Sequence, residues 1–277
     1  MLLLPLGAAG CAARGVETGV EAAAVPAQPE NTAQTAESDR LAEALDRYAA
    51  ETGAAFSVAV HDASTQQSWT YHADGQYLEA SLVKVPILLT LLRQATEEGR
   101  ELTLEEEELA VMMIEYSDND ATTQLYHTLG GAPELERTYT LLGLSHTEAA
   151  EIWGANETDA EDQLRIARAV AGGVDWIDAP LMDFAVELMA NVESTQSWGI
   201  SAGIAEPEAQ IALKNGWLQD DDLSWNVGSS GFIRTAGSDY SMVILTAGTS
   251  TLDEGIGVVE GVARILNSFG KPFENAG

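Results

Sequence analysis

Strand-like and helical patterns follow one another along this chain in an order that few folds can satisfy. Near the start, a helical stripe of Leu41, Leu45 and Tyr48 precedes two runs with period-two alternation, Phe56–Val60 and Trp69–Tyr71. A long block of helical patterns occupies the middle, strand-like runs follow, and an amphipathic helix closes the sequence. The order predicts an α/β fold of the α+β kind: an antiparallel sheet built from both chain ends, flanked by helices, with an inserted all-helical subdomain.

Turn and capping signals set the predicted boundaries of these elements. We expect Ser38 to cap the first helix and Gly53 to end it, and we expect a capping box at Thr103–Glu106 and another at Thr158–Glu161. Three strands are predicted in the last quarter, at Ile211–Lys214, Ser224–Arg234 and Tyr240–Thr246.

The stretch from Ala80 to Leu89 places a serine and a lysine at the start of a strongly apolar helix. Residues three apart share a helix face, so the Ser81 hydroxyl and the Lys84 amine can meet within hydrogen-bond reach. A lysine whose ammonium is destabilised by burial can take the proton of a serine nucleophile. The plainer alternative is a buried helix that carries a serine and a lysine at its edge.

Two further polar clusters interrupt the apolar patterns. Ser117-Asp118-Asn119 breaks a helical run, so its side chains can face a cleft, although it could equally be a helix stop followed by a cap. Lys214-Asn215-Gly216-Trp217 ends a predicted strand, where a glycine permits close approach of a ligand or another backbone. A plain turn is the alternative there.

Together these three clusters resemble the S-x-x-K, S-D-N and K-T-G motifs of class A β-lactamases and penicillin-binding proteins, from about Ser38 to Gly270. The resemblance implies that Ser81 is acylated by a β-lactam, amide or ester. The other implied roles are a base or relay at Lys84, proton transfer by Ser117, substrate binding by Asn119, Lys214, Asn215 and Gly216, and an oxyanion hole formed by the backbone N–H groups of Ser81 and Trp217.

Two departures from the family pattern bear on substrate and turnover. Asn215 stands where the family usually has Thr or Ser, and we expect its amide to help seat the substrate carboxylate. The loop from Gly143 to Thr158 is short and lacks the Glu-x-x-Leu-Asn that supplies the deacylating base in class A enzymes. Glu148 and Glu151 could substitute or could simply be surface charge, so deacylation is expected to be slow.

Charge and the N-terminal residues bear on partners and location. A net charge of −31 from 44 acidic and 13 basic residues repels phosphate backbones, so nucleic acid is excluded as a partner. The apolar start and the small residues before Cys11, the single cysteine, resemble a secretion signal with a lipobox. We therefore expect a signal and tether over residues 1–37 and a monomeric catalytic domain over 38–277, exported to the cell envelope and tethered to the membrane through Cys11.

Several motifs of other enzyme and nucleotide-binding classes are missing from the sequence. The sequence contains no G-x-S-x-G elbow, no H-E-x-x-H and no nucleotide-binding glycine loop, and we expect neither a metal nor a cofactor. The alternatives to an acyl-enzyme hydrolase are a lipoprotein that binds penicillin or a cell-wall ligand without turning it over, and an enzyme like D-Ala-D-Ala peptidases.

Overall fold

The computed structural model describes residues 29–269, with side chains from residue 36 onward. Cys11, the predicted signal and the first part of the predicted tether therefore lie outside the described residues. No helix in the described residues, 29–269, is long and apolar enough to cross a membrane.

The helices occur mainly in the middle of the chain. They are α1 (Pro29–Thr52), α2 (Lys84–Glu98), α3 (Leu104–Ile114), α4 (Asn119–Thr128), α5 (Ala132–Leu142), α6 (Ala160–Gly172), α7 (Ala179–Ala190) and α8 (Leu252–Ser268). The strands are β1 (Ala55–Asp62), β2 (Gln67–Tyr71), β3 (Tyr77–Leu78), β4 (Glu157–Thr158), β5 (Gln210–Gln219), β6 (Trp225–Arg234) and β7 (Asp239–Thr249). Short 3₁₀ helices span Ala80–Val83 and Ser194–Gln196.

Five strands form one antiparallel sheet in the order β2-β1-β7-β6-β5. The hairpin from the chain start pairs directly with β7 from the chain end, with Val58 opposite Ile244. Helices α1 and α8 pack together with the sheet, and the helical block α2–α7 is inserted between β3 and β5. The predicted α+β architecture is confirmed.

Two large apolar cores, and a smaller cluster around Leu82, Leu164 and Val243, hold these layers together. One core joins α2 to the other inserted helices and includes Leu88 and Met113, both fully buried. The second lies between the sheet and α1 and α8 and includes Leu45 and Val259. The three sequence motifs lie where the inserted helices meet the sheet, and both walls of that junction are closely packed.

Three predicted boundaries were wrong. Helix α1 begins at Pro29, so Ser38 lies inside the helix and does not cap it, and residues 29–37 are helical. Asp159, not Thr158, caps α6 by accepting a hydrogen bond from the Asp162 N–H. Strand β5 continues to Gln219 because it pairs with β6 along its whole length.

Candidate active site

The Ser81 segment is a short 3₁₀ turn that leads directly into α2. The Leu82 N–H donates to the Glu79 carbonyl oxygen, and the Lys84 N–H donates to the Ser81 carbonyl oxygen. Ala80, immediately before the serine, has a φ of 49°, which is unfavourable for a residue with a β-carbon. Such strain persists only where the surrounding contacts enforce it, and here it orients the serine backbone.

Gly216 allows β5 to lie directly against the Ser81 segment. A β-carbon at position 216 would lie 2.9 Å from the Leu82 nitrogen, 3.0 Å from the Ser81 nitrogen and 3.1 Å from the Glu79 carbonyl oxygen. The expected clearance role of this glycine is therefore what the geometry requires. Because Gly216 has no side chain, β5, which includes Trp217, can lie beside the Ser81 N–H that is expected to bind an oxyanion.

The loop between α3 and α4 presents Ser117 and Asn119 to the same place. Ser117 has a left-handed backbone with φ of 54°, and the Asp118 side chain caps α4 by accepting from the Ala121 N–H. Asn119 is the first residue of α4. The predicted turn between two helices is present, with Asp118 as its cap.

Lys84 is fully buried and directs its ammonium at this loop. Its Nζ lies 2.7 Å from the Ser117 carbonyl oxygen, 3.0 Å from Ser117 Oγ and 2.8 Å from Asn119 Oδ1. Burial lowers the pKa of Lys84 to about 8, although the negative charge of Asp118 acts in the opposite direction. A lysine with this pKa is neutral in an appreciable fraction of molecules near pH 7.

The expected hydrogen bond between Ser81 and Lys84 is not formed in the described part of the chain. The three hydrogens of the Lys84 ammonium have three acceptors on Ser117 and Asn119. Loss of one proton would leave a lone pair that can accept a hydrogen bond from Ser81 Oγ. These contacts suit the protonated form of Lys84, which must lose a proton before the amine can act as a base.

Lys214, on β5, also contacts the Ser117 hydroxyl. Its Nζ lies 3.0 Å from Ser117 Oγ and 3.0 Å from the Asn215 carbonyl oxygen. Burial, and then the positive charge of Lys84, hold the pKa of Lys214 well below its usual value. One hydroxyl thus bridges two buried amines, so a proton can pass along the row without leaving the site.

The Asn215 side chain contacts the protein itself, on the segment around Trp198. Its side chain is almost fully buried, and its amide nitrogen donates to the Gln196 and Trp198 carbonyl oxygens. Its neighbours two positions away, Leu213 and Trp217, belong to the core against α1 and α8. No amide hydrogen remains for a substrate carboxylate, so Asn215 instead fastens β5 to the segment around Trp198.

The loop from residue 143 to 158 places an aromatic ring beside the lysine. The Trp153 ring centroid lies 5.3 Å from Lys84 Nζ, and its indole N–H donates to Thr123 Oγ1. Glu148 and Glu151 are both exposed, and within the described residues neither contacts Ser81 or Lys84. We therefore interpret Glu148 and Glu151, the two candidate deacylating bases, as surface charge.

A buried carboxyl group behind the nucleophile was missed by the sequence analysis. Glu79 is fully buried, and it accepts hydrogen bonds from Tyr139, Asn156 and Gln163. Burial outweighs these hydrogen bonds and raises the pKa of Glu79 to about 7. The Glu79 N–H also donates to the Asn156 carbonyl oxygen, so this residue joins the 143–158 loop to the Ser81 segment. Nothing in the local sequence distinguishes Glu79 from the many surface glutamates.

One group of side chains has the composition of a metal site. Ligand atoms of His146, Asp159 and Asp162 lie within 4.8 Å of one another. Asp162 already accepts from the backbone N–H groups of Ser145 and His146 and pairs with Arg165. Because these donors occupy its oxygens, the group is best described as an anchor for the loop.

An antiparallel sheet with an inserted helical block, and a serine, two lysines and a second serine at their junction, define a β-lactamase-like serine hydrolase fold. A model of the β-lactamase enzyme family matches residues 40–107 and 97–269. The chain belongs to that family. A search of curated proteins found no match.

Solved structures agree in fold at low sequence identity. The TLA-1 extended-spectrum β-lactamase is 13% identical with a TM-score of 0.75, over 84% of this chain and 99% of that chain. A class A β-lactamase from Bacteroides cellulosilyticus is 14% identical with a TM-score of 0.73, over 84% and 98%. A mutant of PBP-A, solved as its acyl-enzyme complex with penicillin G, is 22% identical with a TM-score of 0.70, over 84% and 96%.

Proposed function

We propose that this protein is a serine hydrolase that forms an acyl-enzyme at Ser81 with β-lactams or related amides and esters, and that it releases the acyl group slowly. The observation that carries the proposal is the position of Ser117 Oγ, 3.0 Å from both Lys84 Nζ and Lys214 Nζ. Two buried amines on one hydroxyl form a proton relay between a nucleophile and a leaving nitrogen. A structural salt bridge would instead pair each lysine with a carboxylate.

Acylation follows from these groups in one sequence. Neutral Lys84 takes the proton of Ser81 Oγ as the oxygen bonds to the substrate carbonyl carbon. The negative charge that develops on the carbonyl oxygen is stabilised by the N–H groups of Ser81 and Trp217. As the carbon–nitrogen bond breaks, the Ser117 hydroxyl donates its proton to the leaving nitrogen and is reprotonated from a lysine.

Lys214 supplies the positive charge that would attract an anionic substrate. Because burial and Lys84 disfavour its charged form, a substrate carboxylate nearby would favour protonation of Lys214. The Asn119 Oδ1 is occupied by Lys84, which fixes the amide group and leaves its Nδ2 to donate to a substrate carbonyl. Substrates with both a carboxylate and an amide suit this arrangement.

We infer slow release of the acyl group from the residue of the 143–158 loop that lies against Lys84. A positioned base that activates water contributes about 10²–10⁴-fold to hydrolysis. The ring of Trp153, from the 143–158 loop, lies 5.3 Å from Lys84 Nζ and cannot accept a proton. The acyl-enzyme complex of the PBP-A mutant with penicillin G supports the idea that this fold can hold a penicillin covalently.

Export and tethering complete the proposal. The apolar start and the small residues before Cys11 support secretion and lipid attachment at that cysteine. The mass of the mature protein from its native cells would show whether the chain begins at a lipid-modified Cys11.

The first prediction is that Ser81 and Lys84 act as a unit. Replacing Ser81 with Ala or Lys84 with Ala should each abolish labelling by a fluorescent penicillin, and the double variant should lose no more than either single variant. For the wild-type protein, the labelling rate should rise about tenfold per pH unit and level off near pH 8, because the base is the neutral form of Lys84.

A matched control is Ser68→Ala, which removes a hydroxyl that contacts His61 at the far end of the sheet, and it should label at the wild-type rate. Undiminished labelling of the Ser81→Ala protein would remove Ser81 from the mechanism. A wild-type protein that binds penicillin reversibly, with no covalent label at any pH, would favour the non-hydrolytic binding protein.

A further inference from the structure

A cavity of roughly 570 Å³ lies between α6 and the end of the sheet that is remote from Ser81. Its polar lining comes from α6, from the ends of β1 and β6 and from the start of β7. The residues are Arg165, Arg168, Arg234, His61, Asp239 and Ser241, and Gln66 adds a further polar side chain from the turn between β1 and β2. Interfaces between packed layers are where ligand sites commonly form.

The charge of this lining is opposite to that of the protein. The chain has 13 basic and 44 acidic residues, yet three of the 13 line this cavity. Among the described residues, Asp239 is the only acidic one in the lining. A positive cavity in a surface of net charge −31 concentrates the field that an anion experiences on approach.

The three guanidinium groups differ in how firmly they are held. Arg234 is fixed, because it pairs with Asp239, donates to the Ala171 carbonyl oxygen and lies over the Phe232 ring. Arg165 donates one N–H group to the Asp162 carboxylate and is partly exposed. Arg168 is exposed, and no carboxylate pairs with it in the described part of the chain. The cavity therefore has two anchored cations and one that can close on a ligand.

The cavity is separate from the active site. Strand register places Gly216 level with Gly228 and Leu245, whereas the cavity meets β7 at Ser241. Four residues along a strand correspond to about 13 Å. None of the residues that bring Ser81, Lys84 and Lys214 together lines the cavity.

We propose that this cavity binds a compact anion with several oxygens, of the diphosphate or polycarboxylate kind. Asp239 and Asp162 offset part of the charge of Arg234 and Arg165, but each of these guanidinium groups has five N–H donors and keeps some that its carboxylate does not use. Together with Arg168 they can donate to several oxygens arranged around a small centre. His61, whose Nδ1 lies 2.9 Å from Ser68 Oγ, keeps its other ring nitrogen for the same ligand.

The test is calorimetric titration of the full chain with inorganic pyrophosphate and, separately, with citrate, at ionic strength matched with NaCl. We expect saturable binding of at least one probe, and the tighter probe assigns the ligand to phosphates or to polycarboxylates. Arg168→Ala should weaken that binding roughly tenfold or more, because it removes a charge-assisted contact. Arg168→Lys should retain part of it.

Arg47→Ala is the matched control, because it removes the same charge from an exposed position on α1. It should leave binding unchanged. An independent readout is the pKa of His61, which burial and the charge of Arg168 hold below its usual value and which a bound anion should raise. The proposal is overturned if neither probe binds beyond the NaCl control, or if Arg168→Ala and Arg47→Ala behave alike.

Discussion

Replacing Gly216 with Ala should reduce the rate of acylation by at least 10²–10³-fold, which is the loss expected when one oxyanion-hole donor is displaced. The new β-carbon would lie 2.9 Å from Leu82 N, 3.0 Å from Ser81 N and 3.1 Å from Glu79 O. These are backbone atoms, and no side chain rotation can relieve the contact. The Ser81 segment and β5 must therefore separate, which moves the nucleophile away from the Trp217 N–H. Stopped-flow kinetics with a chromogenic β-lactam measure the effect.

Gly257→Ala is the matched control for this substitution. A β-carbon at Gly257, on α8, has open space around it, so acylation should continue at the wild-type rate. Thermal unfolding of both variants separates a local displacement from loss of the fold. Wild-type acylation by a folded Gly216→Ala protein would contradict the close packing of β5 on the Ser81 segment.

The second large effect concerns the stability of the protein as pH rises. The pKa of Glu79 is raised from 4.5 to about 7 by burial, so the folded state binds this proton more tightly than the unfolded state. The contribution of Glu79 to the free energy of unfolding is therefore greatest below pH 4.5 and declines until about pH 7. The decline amounts to about 3 kcal/mol.

Glu79→Gln should remove this decline, because an amide does not titrate. Urea unfolding at several pH values between 4.5 and 8 gives the slope of the free energy of unfolding against pH for the wild type and for the variant. The slope is the informative quantity, since the amide also changes the hydrogen bonds with Tyr139 and Asn156. The exposed Glu43→Gln variant should keep the wild-type slope. Identical slopes for the wild type and Glu79→Gln would show that Glu79 titrates normally in the fold.

The sequence predicted the architecture because each element has a local signature. The hairpin of β1 and β2, the capping box at Thr103 and Gly53 at the end of α1 are all present where expected, although β1 is buried on both faces. The three motifs also converge, since Ser117 contacts both Lys84 and Lys214. Motif order and spacing were sufficient to predict that convergence.

What the sequence could not predict depends on contacts between distant residues. The orientation of the Asn215 amide is set by carbonyl groups at Gln196 and Trp198, and no local pattern encodes such a pairing. Burial of Glu79 likewise results from Tyr139 and Asn156, far away in the chain. Propensity and periodicity report which face of an element is apolar, whereas these pairings are properties of the packed tertiary structure.

The most direct test of an acyl-enzyme at Ser81 that is released slowly is a rapid-quench measurement of penicillin G consumption at several enzyme concentrations. The arrangement of Ser117, Lys84 and Lys214, with Trp153 over the lysine, predicts a fast burst followed by a much slower steady state. The burst should equal one acyl group per protein molecule and should be absent from Ser81→Ala. Linear consumption at many turnovers per second, with no burst, would contradict slow release and would require a water-activating base that the described contacts do not contain.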